Sequence, residues 1–347
     1  MASPAARTPA ARRDRLRQAE EGEWGEPLPG ALPPVTFGVE DLPAEQRRRP
    51  VRIDFARFGH LLIGGAPRSG RSQVLRTIAG ALARAHSCAD VHLYGIDCGL
   101  GGLGAPAELP HCGALATRRE TERAARLMSR LTDELRRRQD ELAWQGFTGI
   151  AEQRAGTDPA RRLPHLVVLV DGWEGWLPTL GEHDFGGLTD AVFALMREGA
   201  GVGIHLVVTG DRQLLVGRIS SLTEDKYALR LVDRADYGMI GVRQSDVPEE
   251  MPAGRALRAD QGTEVQFALP AEDATGRREE GPARAAAVTP GLLVGRARRG
   301  AAPQERGGIS GAARQGAPAS GGRQAAVRGG PLGLRPPLRW HAGCRCS

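Results

Sequence analysis

The stretch that most constrains this chain is Gly65-Ala66-Pro67-Arg68-Ser69-Gly70-Arg71-Ser72. It fits G-x-x-x-x-G-[K]-[ST] at every fixed position except one, where Arg71 stands in place of lysine. A short apolar run, Leu61 to Ile63, precedes it. A helix over Gln73–Ala85 follows, with Val74, Leu75, Ile78, Ala81 and Leu82 on one face. In that context the glycines let successive backbone N–H groups turn inward around a phosphate, helped by the positive helix terminus near Ser72. The spacing therefore predicts an ATP phosphate loop built from all eight residues, with the Ser72 hydroxyl offered to Mg2+. Arginine keeps the charge of lysine, but its wider planar fork is a poorer bridge between the β- and γ-phosphates, so binding should survive better than catalysis. A strand-to-helix turn with no ligand is the bland alternative.

A second element belongs beside the first. His165 to Val170 is apolar and ends in Asp171, the pattern by which a carboxylate reaches a magnesium shell. A purely apolar run of this kind marks the centre of a parallel sheet. Hydrolytic P-loop proteins usually follow that aspartate with a glutamate, and here the position is Gly172. Glu174 could substitute, but two residues displace a carboxylate by far more than catalysis tolerates. Asp171 and Glu174 are thus the candidate catalytic carboxylates, and Ser72 with Asp171 the candidate metal ligands. Ile204 to Thr209 reads as a neighbouring buried strand. Thr209 would stand at its carboxyl end, where ligands bind in open α/β sheets and where a hydroxyl could sense the γ-phosphate or hold water. His205 on the same strand reads as a packing histidine.

The rest of the pattern repeats strand then helix. Val91–Ile96 is expected as a strand that closes a right-handed crossover unit with the loop strand. Arg119–Trp144 is expected as a long helix with Ala125, Met128, Leu131, Leu135 and Leu142 inward and charge elsewhere, and Leu188–Glu198 as another helix. Val35, Phe37, Val39 and then Val51, Ile53, Phe55 alternate as two leading strands. After Asp211, residues 219–222, 227–231, 256–257 and 265–269 are strands or short helices. The order argues for a doubly wound α/β sheet with helices on both faces. Three regions are expected: a linker over 1–34, one P-loop domain over 35–270, and a disordered tail over 271–347 rich in Ala, Gly, Arg and Pro.

Charge bears on the choice of partner. The chain carries a net +6, but residues 271–347 hold thirteen Arg against five carboxylates, so the preceding 270 residues carry −2. A basic nucleic-acid face is therefore not expected on the folded part. Lys226 is the one lysine among 47 basic residues, which makes Arg71 as much a matter of codon usage as of selection. Five cysteines without a CxxC pair fit a reducing compartment. Cys344 and Cys346 with His341 make a poor zinc site. No stretch reaches the length of a membrane span, so any membrane association must come from a partner or from a piece this chain lacks.

Several phrases taken together carry a family resemblance. They are Gly38-Val39-Glu40-Asp41-Leu42-Pro43, Gly59-His60-Leu61-Leu62-Ile63-Gly64-Gly65, Leu93-Tyr94-Gly95-Ile96-Asp97, Leu109-Pro110-His111-Cys112-Gly113, Gly203 to Thr209, and Pro252-Ala253-Gly254-Arg255-Ala256. Over residues 35–270 the chain resembles the FtsK/SpoIIIE family, and within it the EccC-like motor domains of type VII secretion. The resemblance implies a RecA-like fold, nucleotide at subunit or domain interfaces, and work as hexamers or strings of motor domains. It implies either recruitment of secreted proteins or DNA translocation. Arg71 and Gly172 favour a degenerate module, with weak or no hydrolysis, that contacts secreted substrates and membrane secretion components from the cytoplasmic side. An active DNA translocase is the alternative.

Overall fold

The structure, a computed structural model, describes residues 29–269. The expected tail, the Cys344–Cys346 pair and most of the expected linker lie outside the described residues. Among the described residues ten strands form one sheet: β1 (Val35–Leu42), β2 (Arg47–Ile53), β3 (Leu61–Gly64), β4 (Val91–Asp97), β5 (Cys112–Thr117), β6 (His165–Asp171), β7 (Ile204–Gly210), β8 (Lys226–Leu229), β9 (Arg255–Arg258) and β10 (Glu264–Phe267). Their order is β2-β1-β10-β9-β8-β3-β7-β6-β4-β5. From β8 to β5 every neighbour runs parallel, and from β2 to β8 every neighbour runs antiparallel. The sheet is thus the expected parallel one, extended by an antiparallel flank.

Strand β6 explains why the centre is parallel. All seven of its residues are buried. Val168 and Val170 pack with one cluster, while Val167 and Leu169 pack with another on the opposite face. Apolar side chains on both faces suit only a strand covered from both sides. The covers are helices. Helix α1 (Arg71–Ala85) buries Val74, Leu75, Ile78 and Leu82 on one face, and α2 (Thr121–Gln145) and α3 (Gly187–Glu198) bury Leu131, Leu135, Val192 and Leu195 on the other. Truncating any of these leucines would cost about 2–5 kcal/mol.

Some expectations are corrected here. The crossover from β3 to β4 passes over two strands, β7 and β6, a span the pattern left open. In α2 it is Ala124 rather than Ala125 that is fully buried, and the helix is not simply apolar inward and charged outward. Arg138 is 1% exposed and donates to Glu134 at 2.7 Å and to the Val202 carbonyl at 2.8 Å. A buried guanidinium is tolerable when its donors are matched in this way. Residues 217–220 form a helical turn, and 226–229, 255–258 and 264–267 are strands. Strand β5 and a two-turn helix over Ile150–Gly156 were not anticipated.

Candidate functional site

The parallel strands end in register. Gly64 pairs with Gly210, Ile63 with Thr209, and Asp97 with Asp171, so the residues that close β3, β7, β6 and β4 share one edge. Strand β7 sits between the loop strand and the acidic strand. Residues 99 positions apart in the chain meet there: Ser72 Oγ donates to Asp171 Oδ2 at 2.6 Å.

The loop itself is braced at both ends. Gly65 N–H donates to Gly210 O at 2.9 Å and Ala66 N–H to Arg230 O at 2.8 Å. At the far end, Gly254 N–H donates to Ser69 O at 3.0 Å, which accounts for the Pro252–Ala256 phrase seen in the sequence. Between these anchors Pro67 and Arg68 are exposed, while Ala66 and Ser69 are buried. Gly70 takes φ +107°, a backbone open to glycine, and hands over to α1. No side chain caps that helix start, and its first turn holds no acidic residue. First-turn amides have no acceptor inside their own helix. They and the dipole make a ready anion site. Ser69 Oγ is buried without a hydrogen-bond partner, and a Cβ at Gly65 would collide with it. An orphaned hydroxyl in a cradle that admits only glycine fits a phosphate group. A hydroxyl and a carboxylate, Ser72 and Asp171, are the oxygen donors that magnesium prefers.

Asp171 is 4% exposed. Burial pushes its carboxyl above the ordinary aspartate range, the hydrogen bonds from Ser72 and Thr209 pull it down, and the Asp97 charge adds to the rise. Thr209 is wholly buried and its hydroxyl is committed: it donates to Asp171 Oδ1 at 2.6 Å and accepts from Gly172 N–H at 3.2 Å. Both oxygens of Glu174 are also engaged. One lies 2.7 Å from Arg71 Nη1, and the other accepts the Asp211 N–H at 3.0 Å. A cavity of about 530 Å³ opens beside the loop, lined by Gly65 to Pro67, Arg71 and Glu174 together with Asp211, Arg212 and residues Leu231 to Asp233 and Asp236.

The sequence reading missed Asp97. Its carboxylate accepts the amides of Gly99 at 2.9 Å, Gly101 at 3.4 Å and Leu103 at 3.0 Å, and so shapes a glycine-rich loop beside Asp171. The one signal for it was its position in the phrase Leu93–Asp97. Trp173 and Trp176 are buried and stacked, with centroids 5.4 Å apart, and Trp176 Nε1 donates to Thr189. His205 is 1% exposed and bonded to Gly59 O and to His165 at the opposite end of the sheet, in keeping with a packing role.

A parallel sheet with its phosphate-loop strand one strand away from an acid-tipped strand, and with helices on both faces, defines a P-loop NTPase domain of RecA-like architecture. The FtsK/SpoIIIE family model matches residues 36–256, and the chain belongs to that family. It is 31% identical over 248 residues to the ESX-4 secretion system protein EccC4 of Mycobacterium tuberculosis, covering 70% of this chain and 20% of the relative. It is 32% identical over 266 residues to the ESX secretion system protein EccC of Thermomonospora curvata, covering 75% and 19%. Among solved structures, ATPases 2 and 3 of T. curvata EccC in complex with a signal sequence peptide match with TM-score 0.64 at 30% identity, over 77% of this chain and 48% of that one. The chain therefore spans about a fifth of the length of these curated relatives. Among the described residues no helix is long and apolar enough to cross a membrane.

Proposed function

We propose that this chain is a nucleotide-binding motor module that holds ATP with Mg2+, turns it over weakly or not at all, and serves a type VII-like secretion machine through contacts with substrate or partner. The Arg71–Glu174 ion pair carries the reading. The residue at the loop's lysine position already has a counter-ion, and Glu174, the candidate substitute for the missing glutamate, is the group that supplies it.

The residues divide the work as follows. First-turn amides of α1, with Ser69 and Arg71, would hold the phosphates. Ser72 and Asp171 would hold magnesium, which when bound neutralises phosphate charge. Thr209 fixes the Asp171 carboxylate by donating to one oxygen, leaving the other toward Ser72. Glu174 is in no position to draw a proton from water while one of its oxygens is ion-paired with Arg71 and the other accepts the Asp211 amide. Gly172, where hydrolytic P-loop proteins usually carry a glutamate, supplies no base.

Type VII relatives with tandem ATPases, one pair of them in complex with a signal sequence peptide, support a role beside other motor domains, in a string or a hexamer, with secreted proteins as cargo. The same reading puts the chain in the cytoplasm, at the inner face of a membrane through its partners. Calorimetry with ATP and ADP, together with a phosphate-release assay on the full chain, tests it. Nucleotide should bind with little turnover. Brisk magnesium-dependent turnover that Asp171→Ala abolishes would overturn it.

A further inference from the structure

Strand β4 delivers Asp97 to the same edge as Asp171, and the chain then runs Cys98-Gly99-Leu100-Gly101-Gly102-Leu103-Gly104. Four glycines in seven residues would leave such a segment without a fixed shape, yet here it has one. The Asp97 carboxylate gathers three of its amides, and Arg76, from the solvent side of α1, donates through Nε to the Gly102 carbonyl at 2.7 Å. The result is a loop folded directly over the Ser72–Asp171 pair. A Cβ at Gly102 would collide with Asp171 Oδ2 and with both Cβ and Oγ of Ser72. Gly172, on the other side, would bring a Cβ to 3.2 Å from the Gly99 amide nitrogen. At the tip, Leu100 is 91% exposed, an apolar side chain with no packing role.

We propose that residues 99–103 form a lid over the metal position, latched by Arg76, that must lift before magnesium can enter. The proposal rests on the nucleotide-binding reading of the site. Magnesium demands an octahedral shell at short distances and keeps several of its waters. With Ser72 bonded straight to Asp171 and Gly102 packed against both, that volume is filled by protein. Phosphates seated on the Ser69 side of the loop do not meet this obstruction, since the lid's contacts fall on Ser72 and Asp171. The fold thereby separates two events that a P-loop usually joins: nucleotide can dock with the lid down, and metal requires it up. Asp97 keeps the loop in one piece as it moves, Arg76 sets how often it opens, and Leu100 is where a contact from outside would lift or hold it.

The test compares wild type, Arg76→Met and Gly102→Ala as full chains. Affinity for a non-hydrolysable ATP analogue is measured by calorimetry in EDTA and in magnesium, alongside hydrogen exchange of the 98–104 segment without ligand. Loss of one charge-assisted hydrogen bond moves such an equilibrium by about tenfold. The expected result is equal affinity in EDTA for the three proteins, a gain on adding magnesium that is about tenfold larger in Arg76→Met and at least as large in Gly102→Ala, and faster exchange of the segment in both. The two variants act independently, one removing the latch and the other the closed position, so one of them failing to fold leaves the comparison intact. Equal magnesium gains in all proteins would overturn the lid while leaving the nucleotide reading standing. Absence of binding in EDTA and in magnesium for every protein would overturn both.

Discussion

The Arg71 guanidinium lies 2.7 Å from the Glu174 carboxylate, so the phosphate loop carries a counter-ion of its own. An incoming phosphate must compete with that carboxylate for Arg71. The pair is partly open to solvent, 16% and 35% exposed, and such pairs are worth little, roughly 0.2–1 kcal/mol. Glu174→Gln is therefore expected to tighten ATP binding by about two- to fivefold without raising turnover. Calorimetry reads the first and phosphate release the second. Weaker binding with loss of residual turnover would instead make Glu174 the catalytic carboxylate.

Asp171 should trade stability for metal binding. Because burial raises its carboxyl above the 3.8 of an unperturbed aspartate, the folded chain keeps a proton where the unfolded chain has lost it. Its contribution is most favourable below that value and is lost as pH climbs through the raised one. At neutral pH the buried charge is a cost. Asp171→Asn should raise the melting temperature at pH 7.5 by a few degrees, on the scale of about 2–4 °C per kcal/mol for a domain of this size, with a smaller gain near pH 4. The same variant should lose the magnesium-dependent part of ATP affinity. Thermal scans at the two pH values check the sign.

The other end of the sheet predicts acid sensitivity. His165 Nδ1 lies 3.0 Å from His205 Nε2, His205 Nδ1 lies 2.9 Å from Gly59 O, and Phe55 stacks on His165 at 4.3 Å. Burial drives His60 and His86 down to about 4 and His205 down to about 3. Unfolded rings take up protons near 6.5, whereas these cannot. Stability is thus complete above pH 6.5 and falls as pH drops toward 4, by up to about 1.4 kcal/mol per pH unit for each such ring. Chemical denaturation from pH 8 to 4.5 should show that slope, and the His205 imidazole resonance should stay that of a neutral ring throughout.

Restoring the missing glutamate should fail. Gly172 has φ +80°, and a Cβ there would press on Gly99. Gly172→Glu is expected to cost about 1–2 kcal/mol of backbone strain and to leave turnover unchanged. Urea unfolding and phosphate release decide it; brisk turnover by this variant would refute the geometric argument.

The parts of the fold written in local pattern are legible in the sequence. Val167 to Val170 are apolar on both faces because both faces are covered, and Val74, Leu75 and Ile78 repeat at helical spacing because one stripe of α1 meets the sheet. Strand β5 was not legible, since Cys112–Thr117 lies at the sheet edge, half buried and without alternation. The antiparallel flank was read only as ambiguous pieces because four-residue strands such as β8, β9 and β10 draw their identity from neighbours distant in sequence. At the site, the loop and Asp171 were named from motif spacing. What no motif reports is who neutralises whom: that Glu174 faces Arg71, that Thr209 serves Asp171, and that Asp97 gathers the loop across the metal position all depend on strand order, which pairs β4 with β6 and β7 with β3.

One pairing of the flank bears on how the module would respond to force. β1 and β10 are antiparallel neighbours, with Gly38 opposite Phe267 and Glu40 opposite Val265, and Ala268 N–H reaches the Phe37 carbonyl. The amino end of the first strand and the carboxyl end of the last therefore leave the sheet side by side. Tension applied along the polypeptide through these two ends would peel the ladder open one rung at a time instead of shearing all its bonds together, beginning at Phe37 and Ala268. Such a joint is mechanically soft, and a pull transmitted between flanking segments would be felt first at β10, whose other partner β9 begins at the Gly254 turn that braces Ser69.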